Sequence, residues 1–348
     1  MIKSLISLRG IFILFIFFHH CLALYPGGGS MAVTFFFVLG GFAMTLGYKD
    51  KVLSPDFAYK QYLVKRFIKF YPLHWLCILA VIPIVVLSMS WKYIPVLALN
   101  ATLLQTWIPI KSVYFSFNSV SWYLADTVFF AAVFPLLIKW IINATPKGRI
   151  GIAALFTIIY VLVVILVPNG WYHAVLYISP YVRLTDFVLG IFLALGFLRL
   201  KNKPKMWWTG RCVGQIMSFV LIVLLVIESC LLGEKYSLIA AVYWPVVVLL
   251  ILTASLTEYN GGGGNWLQNR LLQFVGGLSF IIFMIHQIIL RYTTVVFEKI
   301  LHVENDVIYV VFTLSFTIIA SIIVEKFILN PITQWLTKRI QPSMIAQS

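Results

Sequence analysis

The sequence predicts an all-α integral membrane protein: a single bundle of about ten transmembrane helices with both termini on the cytosolic side. Three observations predict it. Hydrophobic residues make up 61% of the 348 positions and charged residues only 11%, and mean hydropathy is +0.98. A soluble domain carries roughly 25% charged and roughly 45–50% apolar residues. No water-soluble fold of this length hides so much apolar surface, whereas a bilayer acts as its solvent. Apolar runs recur at spanning length, about 20 residues each, and Lys and Arg gather in the short segments between them.

The runs lie at 5–24, 32–48, 70–90, 119–142, 150–168, 181–198, 212–232, 237–256, 272–296 and 307–329. The first follows Lys3 and includes Arg9, as a signal peptide would. No A-x-A-like cleavage site follows it, and His19-His20-Cys21 leads into Pro26-Gly27-Gly28-Gly29, so it reads as a retained helix. The second run ends at the basic stretch Lys49 to Lys69, which feeds the third. The stretch 94–108 is apolar but short, with Pro95 and Pro109 at its ends, and reads as re-entrant or surface-lying. Basic clusters follow the fourth run (Lys139 to Arg149) and the sixth (Arg199 to Arg211). The Gly261–Gly264 run is a flexible linker before the ninth. Of the 26 basic residues only Lys92, Lys111, Arg183, Lys235, Arg291 and Lys299 fall on the far side or at a far-side helix start. That bias places both termini inside. Residues 1–335 form one transmembrane domain and 336–348 a cytoplasmic tail, with no internal repeat.

The net charge of +15 would suggest nucleic acid in a soluble chain. Here the charge sits in loops, where it suits lipid headgroups and an anionic cytosolic cofactor. The four cysteines form no CxxC pair and read as packing residues.

Ionisable groups inside membrane helices are costly and usually functional. Arg9 and His20 lie on one helix, 11 residues and roughly 16 Å apart along its axis, pointing to nearly the same side. A long anionic donor held at Arg9 could react near His20, whose imidazole suits general-base work on a hydroxyl. A positive-inside anchor and a packed helix-end histidine fit the same spacing. His19 points elsewhere and reads as structural. In Lys60 to Pro72, Arg66 and Lys69 are three apart on one helical face and could grip phosphates or anchor in headgroups. Ser121-Trp122-Tyr123-Leu124-Ala125-Asp126 sets a carboxylate among aromatic rings, as a sugar-contacting surface does; an interfacial belt with a solvated Asp126 reads equally well. Arg183 and Asp186 read as a local ion pair. His286, near mid-span, needs a partner or a water-filled cavity. No zinc pattern, GxSxG elbow, Walker loop or GxGxxG is present.

Taken together these segments resemble the membrane acyltransferase-3 family, which acylates cell-surface sugars. Arg9 and His20 match its first-helix signature of an arginine, ten residues and a histidine. Phe35 to Phe42 resembles its phenylalanine-rich motif ending in Ser-Gly-Phe, with Gly40 for serine. Lys65 to Pro72 resembles its Arg-x-x-Arg…Pro element, with Lys69 for the second arginine. That substitution keeps charge but loses the bidentate fork. Ser121-Trp122-Tyr123-Leu124 resembles the fourth motif, although Thr127 stands where glutamate is usual beside Asp126. Ser279 to His286 resembles the late Ser-x-x-Ile-Tyr-Leu-x-His motif, with Phe283 for tyrosine.

The resemblance implies about ten helices in the plasma or inner membrane, acyl-CoA (most simply acetyl-CoA) as the cytosolic donor, and a glycan or glycolipid acceptor on the outer side, with no metal. It makes His20 catalytic, Arg9 a donor-site residue, Arg66 and Lys69 ligands of the CoA phosphates, and Trp122, Asp126, Ser279 and His286 substrate-contacting or supporting residues. Direct transfer and a transient acyl-enzyme both fit. From the residues alone a transporter or glycan flippase would rank first, and the altered positions Gly40, Lys69 and Thr127 also fit a membrane assembly protein without catalysis. The five motifs in order favour an O-acyltransferase.

Overall fold

The structure, a computed structural model, describes residues 2–22, 28–85, 93–203, 206–261, 266–302 and 305–345, with backbone alone at 22, 28, 234 and 341–345. Pro26-Gly27, Gly262–Gly264 and the predicted run ends at 23–24 and 86–90 lie outside these residues, as does 346–348. The helices are α1 (Lys3–Leu22), α2 (Gly28–Leu53), α3 (Tyr59–Val85), α4 (Ile94–Ala101), α5 (Lys111–Tyr114), α6 (Ser121–Asn143), α7 (Pro146–Leu166), α8 (Pro180–Leu200), α9 (Arg211–Leu231), α10 (Glu234–Ser237), α11 (Trp244–Tyr259), α12 (Arg270–Val295), α13 (Asp306–Ile323) and α14 (Asn330–Ile345). No strand occurs among the described residues. Nine helical stretches there are long and apolar enough to cross a membrane, and Trp244–Tyr259 is a shorter apolar helix. The chain is thus an all-α integral membrane protein.

Most predicted runs recur as helices, with shifted ends. The basic stretch before the third run is itself helical, so α3 starts at Tyr59. The eighth run shortens to α11 because a turn at Ala240–Val242 precedes Trp244 and Pro245 opens the helix. Residues 94–108 do not span. Helix α4 has eight residues, about 12 Å of rise, and the chain then turns through Leu103 at φ 60°. Helix α14 carries helical backbone into the predicted tail, to Ile345.

Local chemistry sets several ends. Thr145 caps α7 by accepting from the Gly148 amide at 3.1 Å, with Pro146 behind it. Asn305 caps α13 by accepting from the Ile308 amide at 3.0 Å. The first amides of α1, Lys3 and Ser4, donate at 2.8 and 2.6 Å to the Glu258 carboxylate at the end of α11. A carboxylate there satisfies orphan donors and suits the helix dipole.

The chain forms two compact units interleaved along the sequence. The first comprises residues 1–19, 23–55 and 133–277. Within it α2 packs along α8 through facing glycines: a Cβ on Gly41 would overlap the Phe187 carbonyl, and one on Gly190 the Val38 carbonyl. A Cβ on Gly40 would only touch the Phe187 ring, at 3.8 Å. Gly41→Ala is therefore expected to cost about 1–3 kcal/mol, while Gly40→Ser leaves thermal stability in detergent unchanged. Equal unfolding midpoints for the two variants would refute the close crossing. Phe12 of α1 stacks on Phe35 of α2, with centroids 3.8 Å apart.

A buried charge pair lies in this unit. Arg183 and Asp186 on α8 are 3.0 Å apart, and their side chains are 1% and 0% exposed. The Arg183 guanidinium also donates to the Thr34 hydroxyl at 3.1 Å and lies 5.1 Å from the Phe37 ring centre. The Trp244 indole N–H donates to Asp186. Burial pushes the nearby Tyr177 phenol up to about 12, with Arg183 pulling against it. The phenol therefore stays neutral and Asp186 balances the arginine. The ion pair expected from sequence is present; its burial and its reach to α2 and α11 were not legible.

The second unit comprises residues 20–22, 56–132 and 278–348. It holds α3, α4, α5, the first part of α6, the later part of α12, α13 and α14. His74 on α3 donates to the Asn100 carbonyl at 2.8 Å, and the Asn100 amide donates to the Ser116 carbonyl at 2.9 Å. These bonds tie the short α4 to α3 and to the loop before α6.

Candidate active site

Helix α12 is the spine of the polar cluster in the second unit. His286 is fully buried on it. Its Nδ1 lies 3.1 and 2.7 Å from the carbonyls of Ile282 and Phe283. Carbonyls only accept, so Nδ1 carries a proton. The mid-span histidine thus finds its partner in its own helix.

His20, exposed in the last turn of α1, brings its ring to 5.2 Å from that of His286. Its Nδ1 lies 3.2 Å from the side-chain amide nitrogen of Gln287. Two imidazoles and a carboxamide, contributed by two helices far apart in sequence, therefore meet at one place.

The loop before α6 is pinned to the same helix. Asn118 donates to the Met284 carbonyl at 2.8 Å, and Cys77 on α3 donates weakly to it at 3.6 Å. Arg291 donates to the Phe117 carbonyl at 3.2 Å and to the Ser119 hydroxyl at 2.8 Å. Phe117 sits at φ 56°, a left-handed conformation that costs a non-glycine residue about 1–3 kcal/mol. The Asn118 and Arg291 bonds hold it there. Trp122, Asp126 and Ser279 are all buried. Burial removes the solvated reading of Asp126. Tyr123, beside Trp122, packs on Phe283 with centroids 4.7 Å apart.

On α3, Arg66 is buried and Lys69 exposed. The Arg66 guanidinium lies 4.9 Å from the Tyr62 ring centre, a cation–π contact. Tyr62 donates at 2.6 Å to the carbonyl of Ala131 on α6. Pro135, four residues on, has no N–H to give that carbonyl, and the tyrosine hydroxyl substitutes for it. Tyr59 likewise donates to the Ala132 carbonyl at 2.9 Å. Tyr62→Phe should lower stability by about 1–3 kcal/mol while keeping the ring under Arg66. An unchanged unfolding midpoint in detergent would contradict that role.

Of the residues singled out from sequence, His20 and His286 meet directly. Ser279 lies two turns before His286 on α12. Trp122 and Asp126 lie on α6, and Arg66 and Lys69 on α3. Arg9 belongs to the first unit. His19 packs its ring on Gly29, where an added Cβ would meet it at 2.9 Å, in keeping with a structural role. Sequence reasoning passed over Gln287, Asn118, Arg291 and Tyr62. A carboxamide directly after a mid-span histidine was the available signal for Gln287, since an amide is costly in hydrocarbon. Among the described residues no three His, Cys, Asp or Glu side chains cluster closely enough to hold a metal ion.

The family described as an acyltransferase domain matches residues 2–326. Acyltransferase MdmB of Streptomyces mycarofaciens is 27% identical over 294 residues, covering 76% of this chain and 69% of that protein. No solved structure matches the chain. With a match across nearly its whole length, the chain belongs to the membrane acyltransferase-3 family and is an acyltransferase.

Proposed function

We propose that the chain moves an acyl group, acetyl in the simplest case, from cytosolic acyl-CoA to a hydroxyl of a cell-surface or lipid-linked glycan, acting in the plasma or inner membrane. The observation that carries the reading is the meeting of His20 with His286 and Gln287 at the end of α1. His20 accepts the acceptor hydroxyl proton at an imidazole nitrogen as the oxygen attacks the thioester carbonyl carbon. The tetrahedral adduct collapses with loss of the CoA thiolate, which takes the proton back from the imidazolium. Atoms and charge balance, and His20 is regenerated.

Arg66 and Lys69 are the proposed ligands of the CoA phosphates. A buried guanidinium and an exposed ammonium three residues apart on α3 suit charge-assisted bonds to phosphate. Arg9, at the basic end of α1, is a further donor contact. Trp122, Asp126 and Ser279 support the acceptor side. The test is transfer of labelled acetyl from acetyl-CoA into glycolipid and envelope glycan, comparing membranes that contain wild type with membranes that contain His20→Ala. Labelling is expected with wild type only; equal labelling in both overturns the reading.

A further inference from the structure

We infer that Gln287 is a positioning residue for His20, its side-chain amide setting which imidazole nitrogen carries the proton. The inference builds on the reading of His20 as the base. Its geometric ground is the 3.2 Å contact between the Gln287 amide and His20 Nδ1. His286, the neighbouring residue on α12, spends its Nδ1 proton on the Ile282 and Phe283 carbonyls. Its ring flanks that of His20 at 5.2 Å, and Gln287 supplies a directional contact. Consecutive helical residues point about 100° apart, so the two approach the imidazole from different sides.

A carboxamide can present either end, because its oxygen and nitrogen occupy interchangeable positions. With nitrogen facing Nδ1, Gln287 donates and the imidazole proton resides on Nε2. With oxygen facing, Gln287 accepts from Nδ1–H and Nε2 holds the lone pair. Proton abstraction by Nε2 needs the second arrangement. The acceptor hydroxyl proton then arrives at Nε2, the Nδ1 proton stays on Nδ1 and is donated to the glutamine oxygen, and the imidazolium is held by that charge-assisted bond until the Nε2 proton leaves with the thiolate. Among the titratable and charged groups of the elements at this end of α1, His286 and Tyr292 lie on α12 with Arg291, which is spent on the Phe117 carbonyl and the Ser119 hydroxyl, and His19 and Cys21 lie on α1, Cys21 within the electrostatic reach of Asp306 at the start of α13.

The experiment uses the full chain in lipid nanodiscs with its histidine imidazoles labelled with nitrogen-15. The His20 signals are identified by their loss in His20→Gln. Above the titration midpoint, wild type should show Nδ1 protonated and Nε2 bare. Gln287→Met, of nearly the same shape, should shift the population towards the Nε2–H form and lower kcat with KM for acetyl-CoA unchanged. Gln287→Glu should restore the Nδ1–H form and raise the His20 midpoint by about one unit or more, as a carboxylate within hydrogen-bonding distance does. Packing alone would move neither the tautomer nor the midpoint. Wild-type tautomer and titration in both variants overturn the inference. Full activity in His20→Ala together with a shifted tautomer in Gln287→Met would sink the base reading and leave the positioning role standing.

Discussion

Replacing His20 with alanine should reduce acyl transfer by about 10²–10⁴-fold, the contribution typical of a positioned general base. The loss should fall on kcat. His20 is proposed to act on the acceptor hydroxyl, so the KM for acetyl-CoA should move little, the pattern of an interaction made only in the transition state. Because His20 stands exposed at the end of α1, the substitution leaves no core cavity, and the thermal midpoint should match wild type. Arg66→Gln should give the opposite split, raising the KM for acetyl-CoA more than it lowers kcat. Steady-state CoA release by the purified protein against a glycoside acceptor checks both. A His20→Ala enzyme impaired only in KM would assign His20 to binding instead.

Asp186→Ala should destabilise the protein by about 3–5 kcal/mol, the typical cost of leaving a buried charge without its partner. Arg183 would then sit buried with its charge uncompensated, and the Trp244 indole would lose its acceptor. The double variant Arg183→Met with Asp186→Leu should recover much of that loss, because apolar replacement of a buried pair is often neutral or stabilising. The two positions should therefore be strongly non-additive in thermal unfolding. Additive losses would mean that the pair makes no net contribution as a pair. Thr34→Val removes one neutral-to-charged hydrogen bond to Arg183 and should cost less than Asp186→Ala.

The contrast between these two sites shows which features could be read in advance. Arg9 and His20 are visible in sequence because their spacing is a property of one helix. Arg183 and Asp186 are visible as a pair because i and i+3 residues are neighbours on any helix. Burial of that pair was not visible, because it depends on Thr34, Phe37 and Trp244, carried by other helices. Asp126 could be read as part of a sugar-contacting surface or as solvated in an interfacial belt, and the fold buries it. The Pro135 gap in α6 was legible as a missing donor; that Tyr62 fills it was not. Gln287 directly follows the Ser279–His286 segment yet drew no role, since its partner His20 is 267 residues away.

Composition and charge placement alone make this chain a multi-pass helical membrane protein, and its ordered motifs carried the family. Hydropathy and charge placement add up along the chain and need no knowledge of neighbours. Helix packing settles which polar groups are buried, which glycines let α2 and α8 touch, and that His20 meets His286 and Gln287. Those contacts depend on how separate helices pack, and packing is set by side-chain shape at the crossing, which no single stretch of sequence contains.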